Sequence, residues 1–242
     1  MASPPSRPPA AVPSATSVGG RVLGVGRLLS VNVAASGAPR PGRSTALTGI
    51  HKLPASGPVA VSDPGPRSTG VGSGLAGDVI GDHRHHGGTD QAVYAFGRAE
   101  LDHWAGRLGR DLPAGAFGEN LTIGGYDVDG AVLGERWRIG DVELQVTGPR
   151  LPCGTFRSAM GVRGWLRMFT EHGRTGAYLS VLTPGELAAG MELTVCHRPD
   201  HDVTVPELFR ALMGDVAARR RVALAGDDLS VTARRGLARP GA

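Results

Sequence analysis

Cysteine is almost missing from this chain, whose 242 residues include two, Cys153 and Cys196. Two thiols cannot build the disulfide framework that staples small secreted domains, nor a four-thiolate iron–sulfur cluster. Aromatic residues make up only 5%. The arginine-rich C-terminal stretch holds almost none of them, so the basic stripe interleaved with aromatics that marks nucleic-acid binding is missing. Lysine occurs once, as Lys52, and the net charge of +4 is carried by arginine. No apolar run approaches the ~20 residues of a membrane span. The proline-broken N-terminus lacks the apolar centre of a signal peptide. These absences predict a cytoplasmic chain with two free thiols, no membrane association and no nucleic-acid partner.

What is plentiful is glycine (38 residues) and proline (18), in a chain that is 40% apolar and 20% charged. That is enough apolar material for a real core, in a mixture suited to many short strands joined by turns. Residues 1 to about 18 are rich in proline, serine and alanine and are predicted to be disordered and dispensable. Residues 19–199 read as a β-rich domain with one or two inserted helices: an α+β chain, mainly β, for which a closed barrel is a common solution. Strand candidates are "RVLGVGRLLSVNVA", "GPVAVSD", "GSGLAGDVIGD", "GAFGENLTIGG", "GAYLSVLTPG" and "GMELTVCHRP", with a hairpin turning at Ile139-Gly140-Asp141. Val93, Gly97, Leu101, Trp104 and Leu108 share a helical face. With Asp90 as N-cap, this spacing predicts a helix from about 91 to 108. Residues 200–242 read as a small domain of three short helices, opened by a capping box at Thr204 and Glu207.

Four places could carry chemistry. Cys153 follows a strand in "QVTGPRLPCGTF", where Pro149 and Pro152 fix the backbone and Arg150 favours the thiolate. A small buried hydrophobe is the competing reading. Cys196, inside "ELTVCH", reads as ordinary strand packing. In "HRHHGGTD", His83, His85 and His86 offer imidazoles, but their spacing matches no metal motif, and a loop whose histidines cap and hydrogen-bond is the favoured reading over chelation. The glycine pair permits close backbone approach, to a ligand or to protein. The "FGENLT" segment and the solitary Lys52 are weak signals taken singly.

Taken in order, "GIHKLP", "GLAGDVIGDHRHHGGTDQAVYAF", "FGENLT" and "LQVTGPRLPC" resemble the MOSC-domain family, named for the C-terminal part of molybdenum cofactor sulfurases. Within it they resemble the YiiM-like branch of stand-alone bacterial proteins. The resemblance runs from about Arg21 to Pro199, and the tail opening "DVTVPELF" is similar to the three-helix domain that follows in that branch. It implies a β-barrel that binds a molybdenum–molybdopterin cofactor and reduces N-hydroxylated compounds, with Cys153 as the molybdenum ligand. The family's "HGG" segment falls on His86, Gly87 and Gly88, followed by Asp90.

On that resemblance, His86 is the expected proton donor, since N–O reduction consumes protons and imidazole suits proton transfer near neutral pH. Lys52, Arg150, Asn120, the Gly87-Gly88 turn and a helix starting near Asp90 are expected to hold the anionic cofactor. The longer sulfurases carry a pyridoxal-phosphate domain upstream. Only a short segment precedes the barrel here, so no pyridoxal phosphate is expected. The chain has no flavin, haem or iron–sulfur motif, so a separate reductase is expected as electron donor, and a homodimer is left open. A non-catalytic cofactor carrier and a histidine-based zinc hydrolase are the alternative readings.

Overall fold

Alternation of apolar and polar side chains builds the barrel. In a computed structural model that describes residues 23–34, 38–40 and 43–238, twelve strands are present: β1 (Val25–Val33), β2 (Ala38–Arg40), β3 (Arg43–Thr48), β4 (Leu53–Pro54), β5 (Val59–Val61), β6 (Val93–Gly97), β7 (Leu121–Gly124), β8 (Arg136–Ile139), β9 (Val142–Pro149), β10 (Ala177–Thr183), β11 (Gly185–Leu187) and β12 (Glu192–His197). Seven of them close on themselves in the order β12-β8-β9-β10-β6-β7-β1, with β1 returning to β12, and β4 adds to β1. All pairings in the ring are antiparallel except β6 with β7. Closure leaves no long exposed edge within the ring. The expectation for residues 1 to about 18 lies outside the described residues.

The β8–β9 hairpin turns through Gly140 and Asp141, with Ile139 opposite Val142. Gly140 supplies the positive φ of 59° that such a two-residue turn requires. Along β1, Leu28 points into the barrel and meets Val31, Ile123, Trp137, Leu144 and Leu193 in one core.

The predicted helix over 91–108 is corrected. Residues 93–97 are the strand β6, and the helix α1 spans only Arg98–Leu108. The segment Val93-Tyr94-Ala95-Phe96 is buried on both faces, so it has no two-residue polar alternation and mimics a helical spacing. Val93 and Ala95 face the barrel core, while Tyr94 and Phe96 face a second core outside it. That outer core is capped by α1 and by two helices missing from the strand-based reading, α2 (Gly154–Met160) and α3 (Trp165–His172). Trp104, Phe117, Phe156, Trp165 and Phe169 meet there edge-on, each such pair adding about 0.5–1.5 kcal/mol beyond its buried area. The "GSGLAGDVIGD" strand is also corrected: that segment is loop, bridged only at Leu75 to Val61.

Helices α4 (Val205–Leu212), α5 (Val216–Val222) and α6 (Val231–Leu237) follow the barrel. The Thr204–Glu207 capping box is present, with the Thr204 amide donating to the Glu207 carboxylate at 2.8 Å. Asp90 does not cap a helix of its own. A three-residue 3-10 turn, Thr89–Gln91, takes its place, and the Asp90 carboxylate accepts the Thr232 amide of α6 at 2.8 Å. No helix of the described residues is long and apolar enough to cross a membrane.

Asp129 gives a pH-dependent term in stability. Burial pushes its carboxyl up from 3.8 to about 6, against the Gly176 amide and the Arg174 charge. Its Oδ1 accepts that amide at 2.9 Å, while Oδ2 is buried without a partner among the described residues. Between those two values the folded state binds more protons than the unfolded chain, so this group's contribution falls as pH rises through the window. Asp129→Asn is therefore expected to stabilise the protein by about 1–3 kcal/mol above about pH 6, with the gain vanishing below about pH 4. Urea melts across that range check it, and a gain equal at all pH values would show that the carboxyl is not the cause.

Candidate functional site

A cleft opens between the barrel wall and α2. Its lining comes from chain segments far apart in sequence: Lys52 before β4, His86, Gly87 and Gln91 before β6, Tyr94 of β6, Asn120 before β7, Arg150 and Cys153 after β9, and Tyr178 of β10. Tyr94 and Tyr178 stand opposite each other in the β6–β10 ladder and form its back wall.

Cys153 sits where β9 gives way to α2, in extended conformation at φ −138°. Burial pushes its thiol up, but a hydrogen bond with His86, the Arg150 charge and the Phe156 amide outweigh this and bring it down from 9.0 to about 6. At neutral pH the side chain is therefore mostly thiolate. Arg150 is 6% exposed. Its guanidinium lies over the Phe156 ring at 3.6 Å and near the Tyr94 ring at 5.6 Å. Among the described residues it has no carboxylate partner, and its Nη1 is buried with no hydrogen-bond acceptor. Gln91 Oε1 is likewise buried and unpartnered.

Lys52 and Asn120 line the same cleft, but both are held by Asp78. The Lys52 ammonium donates to Asp78 Oδ1 at 2.5 Å and Asn120 Nδ2 to Asp78 Oδ2 at 2.9 Å. Asn120 Oδ1 accepts the Tyr94 amide at 3.1 Å, which leaves little of this carboxamide for a ligand. Burial lowers the Lys52 ammonium from its ordinary range, with Asp78 opposing that shift. Glu119 is also structural: fully buried, it accepts the Gly115 and Phe117 amides at 2.6 and 3.0 Å.

Of the expected residues, Cys153, His86, Gly87, Lys52, Asn120 and Arg150 therefore converge, and Gly88 and Asp90 do not. The glycine pair serves close protein packing. A Cβ on Gly87 would stand 2.5 Å from the Gly72 carbonyl oxygen, and one on Gly88 2.6 Å from the Arg67 amide nitrogen. The Gly88 and Thr89 amides donate to Gly72 and Gly65, not to a cradled anion, and the helix expected at Asp90 starts eight residues later. His85 is exposed and pairs with Asp82 at 3.1 Å. Among the described residues no group of three or more histidine, cysteine, aspartate or glutamate side chains could hold a metal ion.

Asp78, Gln91, Tyr94 and Tyr178 were not singled out in the sequence. The polar partners of Asp78 lie up to 44 residues away, and no local pattern marks them.

Cys196 is corrected too. It is exposed, not packed. Leu193 and Val195 take the inward positions of β12, and the ladder is irregular between Val195 and His197. Cys196→Ser is expected to change stability by less than about 0.5 kcal/mol, the range of ordinary surface substitutions. A thermal melt checks this, and a large loss would place the thiol in packing after all.

A seven-stranded mixed barrel followed by C-terminal helices, with this cleft in its wall, defines a class, and the chain belongs to it: it is a MOSC-domain protein, the MOSC domain matching residues 82–194. It is 32% identical over 158 residues to the protein YflK of Bacillus subtilis (strain 168), a match covering 65% of this chain and 67% of that one. The crystal structure of YiiM from Geobacillus stearothermophilus superposes with a TM-score of 0.68 at 26% identity, covering 88% of this chain and 100% of that one. A protein of Gibberella moniliformis (strain M3125 / FGSC 7600) named a reductase is 29% identical over 128 residues, half of this chain but 23% of that protein.

Proposed function

We propose that this chain is a molybdenum-cofactor oxidoreductase that removes oxygen from N-hydroxylated compounds, using electrons from a separate reductase. One observation carries the reading: a cleft-facing thiol brought down to about 6 lies beside a buried guanidinium with no ion-pair partner among the described residues. A metal held by a pterin dithiolene suits a soft thiolate donor, and an anionic cofactor needs an unneutralised cation nearby. Cys153 and Arg150 meet those two requirements in one cleft, so the residues fit the group. The MOSC domain supports the cofactor, and the fungal relative's name supports a reductive role.

When bound, the cofactor supplies the two-electron chemistry of the overall conversion, R–NHOH + 2 e⁻ + 2 H⁺ → R–NH₂ + H₂O. Cys153 would hold the metal through Sγ. Arg150 keeps that sulfur in its thiolate form and is held flat against Phe156. His86 lines the same cleft as Cys153 and would supply the proton that the departing oxygen takes up. Tyr94 and Tyr178 stay protonated because burial pushes both phenols up, and with Phe117 they limit water at the back of the cleft.

The test uses cofactor-loaded protein, a reduced artificial electron donor and an N-hydroxylated purine, with the amine product quantified. Steady production of amine is expected. Bound molybdenum without turnover would overturn the catalytic reading and leave a cofactor carrier.

A further inference from the structure

We infer that Asp90 is a positioning residue, through which the C-terminal helical domain holds one wall of the cleft in its working geometry; the kinetic consequence rests on the reductase reading above. Asp90 itself stands outside the cleft lining. It lies in the turn Thr89–Gln91, which joins two parts of the cleft wall: His86 and Gly87 precede the turn and Tyr94 follows it. Its carboxylate accepts the Thr232 amide of α6, 142 positions along the chain, at 2.8 Å.

The turn has little of its own to hold it. It closes one internal bond, from the Gln91 amide to the Gly88 carbonyl at 2.8 Å, and no side chain caps it. The Gly88 and Thr89 amides donate to Gly72 and Gly65, which lie in a segment that is neither helix nor strand. Those bonds tie one loop to another. Asp90 ties the turn to regular structure. Its carbonyl accepts the Thr147 hydroxyl of β9 at 2.6 Å, but the same hydroxyl lies 2.9 Å from the Tyr178 carbonyl of β10. A hydroxyl has one hydrogen, so this donor is divided between two carbonyls. The Thr232 amide belongs to the first turn of α6, where it has no partner within the helix, and its bond to the carboxylate is charge-assisted. The far end of that bond is firm. Ser230 caps α6 by accepting the Ala233 amide at 3.1 Å, and Ala233 belongs to the barrel's core cluster. Loss of the bond therefore frees the turn without opening the barrel. Cys153 stays in place, because β9 and α2 carry it. A misplacement of about 1 Å in a reacting constellation costs on the order of a hundredfold in rate.

Three variants test this. Asp90→Ala removes the acceptor, Asp90→Asn keeps a side-chain oxygen for the amide, and Thr232→Pro removes the donor. Proline is tolerated in the first turn of a helix, and α4 already carries Val205-Pro206 at the positions that Val231-Thr232 occupy in α6. Hydrogen exchange on cofactor-free protein compares peptides over residues 86–94 with peptides of β1 and β12. Cofactor-loaded protein gives molybdenum content, and kcat and KM per bound molybdenum for an N-hydroxylated purine. Asp90→Ala and Thr232→Pro are each expected to speed exchange over 86–94 by about tenfold, the effect of losing one hydrogen bond to a charged group, with β1 and β12 unchanged. The value of kcat should fall by about tenfold in both, with metal content retained. The double variant should be no worse than either single one, and Asp90→Asn should recover most of both losses.

Unchanged exchange over 86–94 overturns the proposal, as does exchange raised equally in β1 and β12, which would make the bond a matter of global stability. Faster exchange with kcat unchanged overturns the positioning role. Loss of molybdenum does so too, since it would place Asp90 in cofactor binding. If Asp90→Ala loses its melting transition, Thr232→Pro carries the comparison. If wild type forms no amine, the reductase reading fails, while the exchange pattern still decides whether α6 holds the turn.

Discussion

Cys153→Ser is expected to lose bound molybdenum and all reduction of N-hydroxylated substrate while keeping the fold. Serine is nearly isosteric, so the aromatic cluster against which Cys153 packs is not opened into a cavity, and stability should move by less than about 1.5 kcal/mol. The chemistry changes far more. A thiol brought down to about 6 is mostly ionised at neutral pH, whereas an alcohol stays protonated and is a poor donor to a sulfur-ligated metal. Even outer partners of metal ligands are worth about 10- to 100-fold in affinity, so loss of the ligand itself should exceed that range. The measurements are molybdenum per protein, pterin per protein and amine formation, with Cys196→Ser as the matched control. A serine variant that retains both metal and turnover would sink the ligand assignment, and with it the main reason for reading this cleft as a molybdenum site.

Asp78→Ala is expected to be the most destabilising single change near the cleft, costing about 3–5 kcal/mol, the range found when one partner of a buried ion pair is removed. Its carboxylate is fully buried and accepts from the Ala34 amide at 2.8 Å, Lys52 at 2.5 Å, Ser73 at 2.7 Å and Asn120 at 2.9 Å. Truncation leaves the Lys52 ammonium buried without its counter-charge and releases the Asn120 amide that braces the cleft wall. Cofactor retention should fall with stability. Asp78→Ala combined with Lys52→Met should recover much of the loss, since the stranded charge is then gone.

The pH dependence has a definite sign. The folded-state value of Lys52 is already below the ordinary lysine value, and loss of Asp78 lowers it further. In the window between the lowered value and the ordinary one, the unfolded chain binds more protons, so the variant regains stability as pH rises. Urea melts at about pH 7 and about pH 9 read this directly. A variant within about 1 kcal/mol of wild type at neutral pH would show that the pair is not a keystone of the cleft.

What the sequence determined by itself is local. The Gly140-Asp141 hairpin and the Thr204–Glu207 capping box arise from residues within a few positions of one another, and both are present. The ordered segments around Lys52, His86, Asn120 and Cys153 also sufficed to anticipate the family and the barrel. Tertiary structure alone decided the rest, because burial and hydrogen-bond satisfaction are non-local. Residues 93–97 look helical in isolation and become a strand because β10 and β7 pair with both edges while two cores cover both faces. Cys196 sits in an apolar stretch yet faces outward, since Leu193 and Val195 take the inward positions. Asp90 bonds to an amide 142 positions away, and Lys52 and Asn120 are claimed by an aspartate 26 and 42 positions away. Those pairings settle which polar atoms of the cleft are already engaged. Arg150 Nη1 and Gln91 Oε1 stay unpaired because no described segment brings them a partner, a property of the folded cleft that no spacing along the chain encodes.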